Sequence, residues 1–304
     1  MQRELGVQIT YSKAYRAKEV TMKQINGSHE ESYAKLRQYC EDIVNTNPAS
    51  TAFIEAIDDG KFKRMFVSFG AAAKGFVHCV PILGLDGTHL KSKYLGILLS
   101  ATSIDALGSL FPIAHAVVDT ENDTNWLWFL TILRESVIEP NAPAFVEEGH
   151  LVLLSDRQKG LLDGVKNVFP TNPHGYCLRH LEDNFHKVFK NVELKKLLWN
   201  VARATDEDTY KSALTDMTKI DSKSIPWLLE HADPKHWAEL LFNGERYGHL
   251  TSNIAESLNS WLLNARELPI LPLFELLRHQ LMDWYICRCT LENDTLGLIV
   301  SPIA

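Results

Sequence analysis

Three acidic residues stand out by where they fall. Asp86 closes the apolar run "PILGLD", Asp156 closes "LVLLSD", and Glu256 lies within "TSNIAESLNSWLL". The ends of strands in an open sheet face a crevice, where ligands and reacting groups gather. Two aspartates on strand ends of one sheet can lie side by side, and their ionised forms then need a cation. Oxygen donors of this kind suit Mg²⁺ or Mn²⁺. Ile254, Leu258, Trp261 and Leu262 make an apolar helical stripe, and Glu256 points away from it, beside Asn253 and Ser260. Three carboxylates around two divalent ions support in-line phosphoryl transfer: one ion activates a water or a 3′-hydroxyl, the other steadies the leaving oxygen. Each acid also has a plainer reading. Ser155 with Gln158 fits a capping box that makes Asp156 a first-turn acid, and Asn253 with Glu256 fits the same pattern loosely. Asp86 before Gly87 fits a turn aspartate.

The elements that must position these acids can be read from apolar spacing. Roughly the first sixty residues read as helical. Tyr33, Leu36, Tyr39, Cys40 and Ile43 form one amphipathic face, Ser28 and Glu31 fit a capping box, and Asn45 to Pro48 fits a stop. From Phe76 the pattern becomes strand, strand, strand, helix, strand, helix, strand, helix. The second and third strands are joined by a hairpin turn at Asp105–Gly108, and Asn122 or Asp123 caps the first helix. That order implies an α/β fold with a mixed five-stranded sheet and flanking helices. The expected division is a helical lead-in over 1–75, a core over 76–190, an all-helical insertion over 191–249, and the glutamate helix with a C-terminal helix over 250–304.

Composition fits an ordinary globular chain of 304 residues, 45% hydrophobic and 23% charged. No apolar run is long enough for a membrane span, and no signal-peptide pattern opens the sequence. Five scattered cysteines argue for a reducing compartment. The net charge of −7 argues against a simple nucleic-acid coat protein but leaves room for a locally basic groove. Lys91 and Lys93, Arg157 and Lys159, and Arg179 follow the acidic or Cys-His segments and could track a DNA backbone, although each alone reads equally as a solvated charge. Cys177 and His180 form a Cys-x-x-His pair. Spacing supplies no further ligands, so zinc is not expected there. Cys287 and Cys289 read as helix-face cysteines. Trp126 and Trp128 read as packing; Trp199 and Trp227 are more open to DNA, with packing still favoured.

The wording of the segments then points to a family. "LGLDGTHLKSKYLGILLSATSIDALGSLFPIAHAVVDTENDTNWLWFL" resembles the start of the catalytic domain of Mutator-like element (MULE) transposases. "LLSDRQKGLLDGVKNVFP", "HGYCLRHLEDNF" and "TSNIAESLNSWL" are similar to the family's second-aspartate, Cys-x-x-His and glutamate blocks. The resemblance implies an RNase H-like fold with a DDE triad at Asp86, Asp156 and Glu256, and a helical domain inserted before the glutamate. It implies metal-dependent DNA cleavage and strand transfer in the nucleus, by a homo-oligomer, with Cys177 and His180 in a DNA-positioning role. Full-length relatives carry a DNA-binding module before this region and a zinc-binding SWIM segment after it. Neither is legible, so the expectation is a fragment, a decayed copy or one piece of a gene model. The alternative is a domesticated, transposase-derived DNA-binding transcription regulator without catalytic activity, like the plant far-red-response regulators; three filled acidic positions favour the enzyme. A dimerisation scaffold is a weaker third reading.

Overall fold

The computed structural model describes residues 10–57 and 60–299, with residue 19 and residues 287–299 as backbone only. It divides into two units, one built from Met1–Glu41, Leu90–Leu95 and Leu262–Ala304, the other from Asp42–His89 and Gly96–Trp261. Tyr11–Asn26 (α1), His29–Ala34 (α2) and Leu36–Thr46 (α3) come first. The capping box is present: the Glu31 N–H donates to Ser28 Oγ at 3.1 Å, and the Ser28 N–H donates to Glu31 Oε2 at 3.2 Å. Leu36, Cys40 and Ile43 are buried, as their spacing requires, although the helix is broken at Lys35. In the first unit the Leu271 N–H donates to Ser32 Oγ at 2.8 Å, joining the long C-terminal helix Ile270–Ile299 to α2.

The remainder of the supposed helical lead-in is a correction. Thr51–Ala56 (β1) and Phe62–Ser68 (β2) are strands, paired antiparallel. β2 is buried from Arg64 to Ser68, so it lacks the period-two signature of a half-exposed strand. Its charge also disguises it. Arg64 is tolerated there because its Nε donates to Glu55 Oε2 at 2.5 Å, its Nη1 donates to Asn125 Oδ1 at 3.1 Å, and its guanidinium lies 4.4 Å from the Trp128 ring centre.

Val80–His89 (β3), Ile97–Ile104 (β4), Leu110–Val118 (β5), Val152–Ser155 (β6) and His174–Tyr176 (β7) are the five strands the sequence indicates. The sheet order is β1-β2-β5-β4-β3-β6-β7, so the mixed sheet has seven strands rather than five, with β1 and β2 added beyond β5. The β3–β6 and β6–β7 pairs are parallel and the others antiparallel. The β4–β5 turn closes with the Gly108 N–H donating to Asp105 O at 3.0 Å, and Gly108 takes φ of 77°, which glycine adopts without strain.

Helices flank this sheet and continue beyond it: Asp123–Ile132 (α4), Lys159–Val168 (α5), Leu178–Phe189 (α6), Val192–Arg203 (α7), Glu207–Ile220 (α8), Ser224–His231 (α9) and Asn253–Trp261 (α10). Asn122 caps α4, accepting the Asn125 N–H at 2.9 Å. The 191–249 stretch is helical and contains no strand among the described residues, and α7, α8 and α9 share an apolar core with α6. Trp199 and Trp227 pack against that core, and Trp126 is fully buried, so their aromatic surface is largely spent on packing. Buried Arg246 ties the end of this stretch to β7, with Nη1 donating to His236 O at 2.9 Å and Nη2 to Tyr176 O at 3.3 Å. Among the described residues no helix is long and apolar enough to cross a membrane. Cys40, Cys79 and Cys177 are buried, while the Cys287 and Cys289 side chains lie outside the described residues.

One core residue makes the fold acid-sensitive. His115 on β5 is 2% exposed, and neither ring nitrogen has a hydrogen-bond partner. Burial pushes its imidazole down to about 4, so the folded state keeps it neutral while the unfolded chain takes up a proton below about 6.5. The contribution of His115 to stability is therefore lost as pH falls from about 6.5 to 4, by about 3 kcal/mol. Between pH 7 and 4, the stability of His115→Leu relative to wild type in urea unfolding should rise by about that amount; a difference that does not change with pH contradicts the assignment.

Candidate catalytic site

Asp86 does not end its strand, nor does it sit in a turn. β3 continues through Gly87, Thr88 and His89, which pair with Leu99, Leu98 and Ile97 of β4. Local chemistry marks Asp-Gly-Thr as a turn, but pairing with an entirely buried neighbour strand overrides it. The Asp86 carboxylate accepts the Gly87 N–H at Oδ1 (2.9 Å) and Asn259 Nδ2–H at Oδ2 (2.5 Å). Burial, then the charge of Asp156, push its carboxyl up to about 7, while the Gly87 amide and His180 pull the other way.

Asp156 follows the last residue of β6. Because Leu154 pairs in parallel with Gly84, the two strands carry Asp156 and Asp86, each two residues on, toward the same end of the sheet. The capping-box reading of Ser155 fails. Helix α5 starts at Lys159 with Gln158 as its cap, whose Oε1 accepts the Leu161 N–H at 2.7 Å. Ser155 Oγ instead donates to Asp156 O at 2.6 Å and meets His174 Nε2 at 2.8 Å. Asp156 therefore sits in the strand-to-helix link, its Oδ1 accepting the Gln158 N–H at 3.0 Å.

Glu256 lies in the first turn of α10, which begins at Asn253 itself, so Asn253 is not the cap of a capping box. Ile254, Ala255 and Leu258 are buried, and Glu256 is half-exposed on the other face. Its Oε2 accepts Arg179 Nη1–H at 3.0 Å. Gly84 sets how closely α10 approaches β3: a Cβ there would stand 3.3 Å from Ile254 Cβ and 3.5 Å from the Ala255 nitrogen. Gly84→Ala should therefore cost about 1–3 kcal/mol by overpacking. Chemical denaturation measures this, and a neutral result would mean that α10 is not pressed on the strand.

His180 links the acids. Contact with Cys177 pushes its imidazole up to about 9 against the opposing effect of burial, and Asp156 and Glu256 add to the rise. Cys177 is the residue before α6, and its Sγ accepts the Ser252 N–H at 3.3 Å. Burial alone would raise that thiol, but His180 and Ser252 bring it below its ordinary range. Cys177 Sγ, a His180 ring nitrogen and a Glu256 carboxylate oxygen lie within 4.8 Å of one another.

The basic residues divide. Arg179 belongs to the site through Glu256. Arg157 is half-buried, its Nη1 donating to His231 O at 2.6 Å. With Asp156, Gln158 and His180 it lines a cavity of about 620 Å³. Tyr176 and His236 also line it, their rings stacked 4.3 Å apart. Lys159 is exposed at the start of α5. Lys91 and Lys93 belong to the other unit, where Lys93 Nζ pairs with Glu30 at 2.7 Å and the Lys91 N–H donates to Arg266 O at 2.8 Å.

Two residues were not singled out from sequence. Asn259 lies one turn past Glu256 on the same helix face, and the i, i+3 spacing was its only signal. Glu121 is half-buried, with Trp126 Nε1–H donating to Oε1 at 3.1 Å. Burial and the charge of Asp156 raise its carboxyl, and a Cβ at Gly87 would come within 3.1 Å of it. The Glu-Asn-Asp-x-x-Trp wording marked the segment but not this role.

A family model described as the MULE transposase domain matches residues 82–184, from within β3 to the middle of α6. The chain carries a MULE transposase domain over these residues, which supports a transposase-type function. Asp86, Asp156, Cys177 and His180 lie inside the matched segment; Glu256 lies beyond it. No curated protein matches the chain.

Proposed function

We propose that this chain is the catalytic domain of a DDE-type DNA transposase, cutting and joining strands by in-line phosphoryl transfer. The run β5-β4-β3-β6-β7, flanked by helices, supports an RNase H-like core, with β1 and β2 as an edge addition. The observation that carries the reading is the convergence of groups distant in sequence: parallel pairing of Gly84 with Leu154 carries Asp86 and Asp156 to one end of the sheet, and Asn259, on the same helix as Glu256, donates to Asp86 at 2.5 Å.

The residues fit Mg²⁺ or Mn²⁺. Asp86 and Asp156 repel each other at close quarters, and buried Asn259 Oδ1, beside Asp86, has no hydrogen-bond partner. Asp86, Asp156 and Glu256 would hold the ions, and Asn259 Oδ1 offers an acceptor to a water of hydration. Two bound ions would supply an activated water or 3′-hydroxyl and a stabilised leaving oxygen. His180, kept protonated, and Arg179 present positive charge to a phosphodiester, with Cys177 orienting His180. Arg157 and Lys159 on this unit, and Lys91 and Lys93 on the other, are proposed contacts to the DNA backbone. A DNA substrate, a second copy of the chain and action in the nucleus belong to the same proposal.

Incubation of the purified chain with supercoiled DNA tests it. Nicking that requires Mg²⁺ or Mn²⁺ and disappears in Asp86→Ala supports it; cleavage that survives the substitution refutes it.

A further inference from the structure

Spacing alone leaves Cys177 and His180 short of the ligands a zinc site needs, and the fold supplies another. Glu256 arrives from a distant helix, so that a thiol sulfur, an imidazole nitrogen and a carboxylate oxygen lie within 4.8 Å of one another. Mg²⁺ takes oxygen donors almost exclusively; sulfur with nitrogen and one carboxylate is a donor set for Zn²⁺ and similar thiophilic ions. Donor atoms around a tetrahedral zinc ion sit roughly 3.3–3.7 Å apart, from bonds of about 2.0–2.3 Å. The 4.8 Å bound exceeds that spacing by about 1–1.5 Å, the distance over which the donors must draw together around an ion.

The surroundings suit such an ion. The Ser252 N–H donates to Cys177 Sγ at 3.3 Å, an outer bond that orients the sulfur and favours its thiolate. Cys177 is fully buried, but His180 and Glu256 are half-exposed, and His180 lines the 620 Å³ cavity, so an ion can reach the sulfur from that side. Glu256 Oε2 is engaged by Arg179, which leaves Oε1. Three protein donors with a fourth position open to the cavity match the open class of zinc site rather than the closed structural class.

We propose that Cys177, His180 and Glu256 bind one Zn²⁺ ion, and that this binding withdraws Glu256 from the Mg²⁺ site and silences it. The zinc site stands on its own donor set; its inhibitory effect rests on the transposase reading above.

Co²⁺ titration of the purified chain tests the site. One Co²⁺ per chain should give the thiolate charge-transfer absorption and strong visible bands of a four-coordinate ion, and Zn²⁺ should displace it. Cys177→Ser should abolish the charge-transfer absorption. His180→Gln, at a half-exposed position, serves as the second variant should the buried serine compromise folding. Each should weaken Zn²⁺ by more than the roughly 10–100-fold seen when only an outer-shell partner is lost. Co²⁺ binding without thiolate absorption, or equal Zn²⁺ affinity in wild type and both variants, overturns the site. No DNA enters this assay, so its failure leaves the Mg²⁺ reading standing. For inhibition, each protein is its own control: equimolar Zn²⁺ should lower Mg²⁺-dependent nicking at least about tenfold in wild type, and His180→Gln should have lost that sensitivity. Equal sensitivity in the two proteins overturns the inhibitory half.

Discussion

Asp86→Asn should abolish metal-dependent strand cleavage while making the metal-free protein more stable at pH 8. The two effects share one cause. The Asp86 carboxyl is pushed up to about 7 by burial and by Asp156, whereas an unfolded aspartate loses its proton near 3.9. Between those values the folded state holds a proton that the unfolded state has released, so the contribution of Asp86 to stability falls as pH rises from about 4 to about 7 and stays low above it. The full penalty at pH 8 is about 4 kcal/mol. An amide carries no such penalty, and Asn259 can turn its unpartnered Oδ1 toward the new N–H. Part of the gain is lost in rearranged hydrogen bonds, so thermal or urea unfolding at pH 8 should show a gain of about 1–3 kcal/mol, shrinking to nothing near pH 4. Activity should fall on the order of 10³-fold or more. A variant no more stable than wild type at pH 8 would mean that the carboxylate is not strained by its setting. Stability given up at a site for the sake of chemistry is the trade expected of a catalytic acid.

Glu256→Gln should separate activity from stability in the opposite way. Its carboxylate is half-exposed and paired with an exposed Arg179, so its loss should change folding stability by no more than about 1 kcal/mol. Nicking should nevertheless fall on the order of 10²-fold or more, because a neutral amide is a poor ligand for a hard cation. The Asp86 carboxyl, on which Asp156 rather than Glu256 acts, should titrate as before, and NMR of the side-chain carboxyl can follow it. Nicking retained within a few-fold of wild type would remove Glu256 from the account.

What was legible in the sequence follows from physical range. β3 to β7 announce themselves as apolar runs bounded by turn residues, and Asp86, Asp156 and Glu256 are conspicuous because each interrupts or flanks such a pattern. β2 was hidden because it is buried without alternation and carries Arg64, a charge made tolerable by Glu55, Asn125 and Trp128. The continuation of β3 past Asp86 was hidden because pairing with β4 overrules a local turn signal. Asn259 reaches Asp86 across 173 residues of sequence, and no local pattern encodes such a contact. The third donor beside Cys177 and His180 was invisible for the same reason: the Cys-x-x-His spacing fixes two groups at the start of α6, and only the packing of α10 on β3, through Gly84, supplies Glu256.

Anomalous diffraction from crystals soaked in Mn²⁺ with a short DNA end tests the central claim most directly. The account predicts two peaks roughly 3.5–4 Å apart, bounded by the carboxylates of Asp86, Asp156 and Glu256. Well-diffracting crystals that bind the DNA yet show no manganese among these three residues, or show it elsewhere on the protein, would contradict it.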